Sequence, residues 1–531
     1  MTMTDIANDV ATDVTQMDEG VGGECGCGGG CCPTPGVVAE VRAATDCCEG
    51  ECCDETVSAD GTLPIAISEA VPVGVLSPGG VRAGGDGATL PIAIIGAGPV
   101  GLAAAAYVLA RGERPLVLEA GDMVGASIRA WGHVRLFSPW RYAVDPACAR
   151  LLGEAGWVAP EPEAYPTGHE LVEQYLAPLA ATPQLRGHIR LGARVIAVAR
   201  QGFDKMKTGG REAAPFVLHV VDRAENEEVL LARAVIDASG TWDAPNPLGA
   251  NGLPAVGERA AAAWIHYGIP DVLGAARVTY AGTRTLVVGS GHSAFNAVLD
   301  LATLIEEEGR GELIWAVRRR TPGLLFGGGE AGALAERGKL GSRVRGLVER
   351  GTVRLVTDFK VARLLLGPDG VTVVGEGTTL PPVNRVVAAT GFRPDLSPLR
   401  ELRLDLDPAT ESPTALAPLI DPNVHSCGTV RPHGATKLRH PEPDFFIAGM
   451  KSYGRAPTFL MLTGYEQVRS IVAALVGDWA SARQVELVLP ETGVCSTDRG
   501  EGDGASCCDA PPAPRGRGGL PVLVGGVRRE A

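Results

Sequence analysis

Pro91–Gly101 reads PIAIIGAGPVG, an apolar run that ends in the turn Gly96-Ala-Gly98-Pro-Val-Gly101. The pattern is G-x-G-x-x-G, and its surroundings decide how it is read. Strand Ile92–Ile95 precedes it and helix Leu102–Ala110 follows. A second strand, Pro115–Leu118, ends on Glu119, 23 residues after Gly96. In such a unit the first glycine permits the tight turn, the second lets backbone N–H groups approach a pyrophosphate, and the third lets helix pack closely on strand. The helix N-terminus stabilises the phosphate charge. Glu119 stands where a carboxylate accepts hydrogen bonds from ribose hydroxyls. Gly96, Gly98, Gly101 and Glu119 are therefore expected to hold a dinucleotide in an α/β unit. The 19 residues Ile92–Ala110 carry no charge and would be long enough to span a bilayer, but the glycine turn inside them is the better explanation.

Gly289-Ser-Gly291-His-Ser-Ala294 repeats the turn with alanine in third place, a variant the fingerprint allows. Helix Ala294–Ile305 follows, and strand Leu313–Val317 ends on Arg318-Arg319-Arg320 instead of an acid. A carboxylate there would repel a 2′-phosphate, whereas guanidinium binds one through bidentate, charge-assisted bonds. Acid at the first turn and base at the second point to two different dinucleotides, FAD first and NADPH second. Reduced nicotinamide would pass a hydride to the flavin.

The two halves continue alike. The first runs through strand-like stretches Ile189–Ala199 and Phe216–Val221 and closes on Ala234–Gly240; the second runs through Val353–Leu366 and Val371–Val374 and closes on Arg385–Gly391. The expected fold is α/β, two Rossmann-like dinucleotide-binding domains with β-meander insertions. The expected layout has a disordered, acidic, Cys-rich tail and linker over 1–88 and the first part of the FAD domain over 89–250. A connecting segment follows over 251–283, then the NADP domain over 284–382, the second part of the FAD domain over 383–485, and a Cys-containing C-terminal tail over 486–531.

The 531 residues carry 62 Asp+Glu against 48 Lys+Arg, a formal net charge of −14. Residues 1–60 hold 13 acids and one base, Arg42, so the rest of the chain is within two charges of neutral. A neutral body with an acidic tail argues against nucleic acid as a partner. The first 20 residues lack a basic segment followed by an apolar one, so a cytoplasmic protein with no membrane partner is expected. Of the 13 cysteines, Cys25, Cys27, Cys31, Cys32, Cys47, Cys48, Cys52 and Cys53 lie in the N-terminal tail and Cys495, Cys507 and Cys508 near the C-terminus, leaving only Cys148 and Cys427 between. A disulfide scaffold would spread them through the fold. The vicinal pairs are crowded for tetrahedral zinc and suit a soft, three-coordinate ion such as trivalent arsenic or antimony. The eight N-terminal cysteines are thus candidate metal or metalloid ligands; an inert or variably oxidised tail is the alternative.

These features resemble the two-dinucleotide-binding-domain flavoproteins, which include flavin-containing monooxygenases and pyridine nucleotide–disulfide oxidoreductases. The resemblance covers about residues 89–480 and rests on the two glycine turns and on the small-residue turns Ala238-Ser239-Gly240 and Ala389-Thr-Gly391. It implies that the latter lie where the chain crosses between FAD and NADP domains. It also implies an approach to the flavin through Trp131, Arg135 and Phe137-Ser-Pro139-Trp140, and backbone bonds from Val195 to adenine, with ordinary core packing as the alternative for the two tryptophans. Gly449 is followed by Met450 in place of the acid that often contacts the FAD ribityl chain.

Two departures narrow the activity. Disulfide reductases of this type carry a C-x-x-C or C-x4-C pair near the flavin, and the body here has none, so a dithiol mechanism is not expected unless a tail cysteine pair reaches in. The monooxygenase fingerprint F-x-G-x3-H-x3-W is also absent; its region reads Ile265-His-Tyr-Gly-Ile-Pro270. A narrower resemblance, in Phe137–Tyr142, Gly289–Ala294, His425–Thr429, Met450–Thr458 and Glu491–Cys495, is to FAD-dependent oxidoreductases encoded with actinobacterial arsenic-resistance genes. It implies a role in metalloid handling.

His425-Ser-Cys427-Gly-Thr precedes the last apolar strand, Phe445–Ala448. Cys427 is a candidate substrate thiol and His425 a candidate acid/base; a buried free cysteine is the plainer alternative. Lys451 and Arg455 precede an amphipathic helix, Phe459–Leu475, and are candidate cations for an anionic flavin edge. The expected enzyme moves hydride from NADPH to FAD and then to a small-molecule substrate or O₂, in the manner of a monooxygenase. The alternative is a soft-metal or metalloid-binding protein whose flavin body is a redox partner or sensor.

Overall fold

The computed structural model describes residues 90–320, 335–423, 430–456 and 459–487, the side chains of 335–339 excepted. Both tails, with their cysteines, and the candidates His425 and Cys427 lie outside the described residues. The first half supplies β1 (Ile92–Ile95), β2 (Pro115–Leu118), β3 (Ile189–Arg190), β4 (Arg194–Arg200), β5 (Phe216–Val221), β6 (Glu227–Ala232) and β7 (Ala234–Asp237). The second supplies β8 (Ile265–Tyr267), β9 (Arg284–Val288), β10 (Glu312–Ala316), β11 (Val353–Val356), β12 (Val361–Gly367), β13 (Gly370–Gly375) and β14 (Arg385–Ala388), and β15 (Phe445–Ile447) comes last. The helices needed here are α1 (Pro99–Ala110), α2 (Pro146–Glu154), α3 (His292–Glu308), α4 (Ala335–Glu349) and α5 (Met461–Leu475).

Among the described residues, two five-stranded parallel sheets have the orders β15-β7-β1-β2-β3 and β8-β14-β9-β10-β11. Each places the strand before its glycine turn, β1 or β9, at the centre. Strands covered on both faces read as unbroken apolar runs, and all four residues of β1 and of β7 are buried. Pro99 at the first position of α1 is pre-set for the helix. The Ala-rich helix then packs closely against β1 on one side and α5 on the other, and a Cβ on Gly464 of α5 would meet the Val100 side chain.

The sheet orders correct the expected layout. β8 was placed in a connecting segment and β14 in the second part of the FAD domain, yet both complete the second sheet. The stretches Ile189–Ala199 and Val353–Leu366 each split in two. Their first strands, β3 and β11, pair in parallel at the sheet edges, and only β4 and β12 belong to the antiparallel meanders. The breaks fall at Gly192 and Asp358, both at positive φ (+63° and +51°), which turn the chain out of the sheet. β6, β8 and α4 carry weak patterns and are additions by the structure.

The first meander is stapled to the returning chain by a buried charge cluster. Glu442 accepts from Arg200 Nε at 2.8 Å and from Arg211 Nη1 at 2.6 and 2.8 Å, with all three side chains essentially inaccessible. The Arg200 guanidinium also lies 3.7 Å over the Phe216 ring. Removing one member of such a cluster typically costs ~3–5 kcal/mol, because the remaining charge is left buried and unpaired. No helix among the described residues is long and apolar enough to cross a membrane.

Candidate functional site

The glycines of the two turns divide by what surrounds them. A Cβ on Gly96 would come within 2.9 Å of the Ala238 carbonyl oxygen, one on Gly101 would collide with the Gly96 carbonyl, and one on Gly289 with the Ala389 carbonyl. Those three positions are demanded by the protein's own backbone. Gly98 and Gly291 differ: a Cβ there would have no atom within 4 Å, and φ is an ordinary −79° and −89°. Among the described residues nothing requires glycine at either position, so the space in front of them suits a ligand whose approach needs a bare backbone. Each is also the N-cap of its helix, α1 or α3, with no side chain capping the first N–H groups. Uncapped N–H groups facing open space, at the positive end of a helix dipole, fit a pyrophosphate. The turn residues thus suit the FAD and NADP groups expected of them.

The ribose ends differ in sign. The Glu119 carboxylate closes the first turn, accepting from Ala97 N–H at 2.7 Å and Gly121 N–H at 2.8 Å. Each oxygen keeps acceptor capacity for a ribose hydroxyl. Beside it, β4 is the edge strand of its meander, so alternate backbone groups around Val195 face away from β5. At the second turn, Arg318 is exposed beyond β10 and donates to the Ala250 carbonyl at 3.2 Å, and Arg319 lies half-buried beside it. Arg320 is paired with Asp358 at 3.0 Å. His292 opens α3, and its ring meets Phe137 edge-on at 5.3 Å, so the Phe137 segment of the first half leans on the second turn.

A buried polar web backs the first turn. Asp237 ends β7, and its carboxylate accepts from Lys451 Nζ at 2.7 Å and from the Ser239 hydroxyl at 2.6 Å. Lys451 also donates to Ser239 Oγ at 3.0 Å. The ammonium is not an open cation for a flavin edge, and Arg455 is likewise paired, with Glu411 at 2.9 Å. Gly449, at φ +69°, abuts Val100 of α1, and its N–H donates to Gln467 Oε1 at 2.8 Å. Gln467 in turn donates to Ser452 Oγ at 2.9 Å and lies 2.9 Å from His433 Nε2, while His433 Nδ1 lies 3.0 Å from the Arg431 carbonyl. A neutral ring with its proton on Nδ1 completes that chain, and burial holds the His433 pKa below its usual value. Sequence reasoning missed Asp237, Gln467 and Ser452; the visible signal was a carboxylate closing the otherwise apolar run Ala234–Asp237.

Other expected site residues have structural tasks. Arg135 is exposed and donates to the Tyr165 carbonyl, in a strand-like bridge with Thr167. Trp131 packs over Gly168, and Trp140 is buried in the first core. Gly240 and Gly391 take positive φ, +73° and +84°, in the crossing turns, and the aromatics that follow, Trp242 and Phe392, stack at 4.9 Å. Ala294, in the first turn of α3, is fully buried. Cys148, the one cysteine among the described residues, is fully buried on α2. Burial first and the neighbouring Asp145 second push its thiol pKa well up, the opposite of a redox-active thiolate.

Comparison with known proteins agrees with this architecture. A family profile described as pyridine nucleotide-disulphide oxidoreductase matches residues 93–417. A ferredoxin–NADP reductase of Saccharopolyspora erythraea is 29% identical over 247 residues, which is 45% of this chain and 65% of that relative's length. The bacillithiol disulfide reductase of Bacillus cereus superposes with a TM-score of 0.52 at 20% identity, over 73% of this chain and 99% of that one. The FAD-bound cadaverine monooxygenase of desferrioxamine biosynthesis from Erwinia amylovora superposes at 0.50 and 13% identity, over 78% and 100%. At these identities the structural likeness speaks for the fold.

Proposed function

This chain belongs to the pyridine nucleotide-disulphide oxidoreductase family, and on that premise we propose that it is an NADPH-dependent FAD oxidoreductase acting on a small-molecule substrate or O₂. The observation that carries the reading is the pair of bare, uncapped helix N-termini at Gly98 and Gly291, with Glu119 beside one and Arg318 and Arg319 beside the other. Gly98, Glu119 and the backbone near Val195 would hold FAD; Gly291, Arg318 and Arg319 would hold NADPH. FAD supplies the hydride and electron chemistry when bound. Cys148, buried and with its thiol pKa pushed well up, is not a candidate redox thiol for that transfer.

The test is direct. Purified protein should be yellow with FAD absorbance and should be reduced faster by NADPH than by NADH in anaerobic stopped flow; a colourless, folded protein would sink the proposal. A metalloid substrate or ligand is supported by the vicinal cysteines of residues 25–53 and by the motifs shared with arsenic-resistance flavoproteins. Faster NADPH oxidation on adding an arsenical is the expected result. Trivalent-arsenic binding unchanged by deletion of residues 1–88 would remove the tail from that role.

A further inference from the structure

Three backbone segments from distant parts of the chain meet at the first dinucleotide turn: Gly96–Gly98 of the turn itself, Ala238–Gly240 and Gly449–Lys451. One side-chain cluster ties two of them together directly and the third through contact. Lys451 reaches Asp237 at 2.7 Å and Ser239 at 3.0 Å; Ser239 returns a 2.6 Å bond to Asp237, and its backbone N–H adds another at 3.1 Å. The Lys451 and Asp237 side chains are 4% and 2% exposed. Gly96 lies against Ala238 and Ser239 so closely that a Cβ would touch both, and Gly449, two residues before Lys451, lies against Val100 in the first turn of α1.

A buried ion pair is a weak source of stability, because desolvation of two charges offsets most of their attraction. Its position here, where three chain segments meet the N-terminus of α1, calls for another explanation. We propose that Lys451 and Asp237 form a positioning lock for the flavin site: the pair holds the Ala238–Gly240 and Gly449–Lys451 turns in register against Gly96. It also sets the local charge felt by a bound flavin. This inference rests on the FAD reading above. The late acid expected after Gly449 is Met450 in this chain, so the charge that orders this corner is buried one layer behind the turn instead of presented by it. Asp395 is a further carboxylate within electrostatic reach of Lys451.

The test uses the full chain and three variants. D237L/K451M replaces the pair by apolar side chains of similar length, which is commonly neutral for folding. It should keep the wild-type circular dichroism and yet release FAD about tenfold faster, the scale of one or two lost buried hydrogen bonds. D237N leaves the ammonium uncompensated and should raise the flavin midpoint potential, because a nearby cation favours the more negative reduced flavin. K451M leaves the carboxylate and should lower it. A pair that only supports the fold, out of electrostatic reach of the flavin, would leave both potentials at the wild-type value. Wild-type FAD release by D237L/K451M, or potentials of D237N and K451M that shift together or stay at the wild-type value, overturns the lock. A wild-type chain that takes up no FAD overturns the flavin reading itself, and the lock with it.

Discussion

The two glycine turns share one topology and differ in their surroundings. The first is sunk into the protein: Ala97 is fully buried, α1 is covered by α5, and Asp237, Lys451 and Gln467 form a dry polar web behind it. The second is open: Ser290 and Gly291 are exposed, and Arg318 projects at the rim. The first has glycine in third place because a Cβ on Gly101 would strike its own turn; the second accommodates the Ala294 methyl. A site sealed on several sides suits a dinucleotide that stays, and a basic, solvent-facing site suits one that comes and goes. The same local fold thus suits two different kinetic tasks through what packs around it.

The hardest way to break that contrast is at the third glycine. Gly101→Val should destabilise by about 3 kcal/mol or more and abolish flavin uptake, as overpacking against backbone does, whereas Ala294→Gly should cost only about 1 kcal/mol. Thermal melts with and without FAD compare the two. Acid and base should also act on the halves in opposite directions. His440, at the start of the return to β15, is buried with its pKa pushed down to about 4, by desolvation first. The unfolded chain therefore binds the extra proton first, and the contribution present above about 6.5 is lost as pH falls toward 4, by about 3 kcal/mol. Asp300 on α3 is pushed up to about 6 by desolvation. It is the folded chain that then binds the extra proton, so this group destabilises as pH rises from about 4 to 6, by about 2–3 kcal/mol. In urea melts across pH 4–7, His440→Phe should remove the loss of stability on acidification below about 6.5, and Asp300→Asn the opposing loss on going from about pH 4 to 6.

Smaller changes sharpen the ribose chemistry. R318A/R319A should raise the KM for NADPH by about 10–100-fold, the loss of charge-assisted bonds to a 2′-phosphate, and leave the KM for NADH nearly unchanged in steady-state assays. Glu119→Gln loses one acceptor facing Ala97 and Gly121 and should weaken FAD binding by about 1–2 kcal/mol, read by flavin titration of the apoprotein. Arg320→Ala should do least. Its exposed pair with Asp358 is worth less than about 1 kcal/mol, and unchanged cofactor preference would separate it from Arg318.

Much of this was legible in the chain. β1, β2 and β5 run over the predicted residues, and β10 and β15 fall within a residue of them, because strands covered on both faces leave continuous apolar runs. The glycine spacings and the opposite charges at Glu119 and Arg318 are local features and could be read directly. The roles of Arg135, Lys451 and Arg455 could not be read that way. Their partners, Tyr165, Asp237 and Glu411, lie 30 to 214 residues away, and a cation in a sequence does not show which carboxylate or carbonyl satisfies it.

By itself the sequence determined that this protein has two dinucleotide turns, that their ribose ends carry opposite charge, and that its cysteines cluster in the tails. Those are consequences of local spacing, steric permission at glycine and side-chain charge. Only the tertiary structure decided which glycines the fold itself requires and which face open space, where the meanders leave the sheets, and that a lysine and an aspartate far apart in the chain meet in a buried corner behind the first turn. Burial and long-range pairing are properties of the packed chain, and they set which charges are free to act.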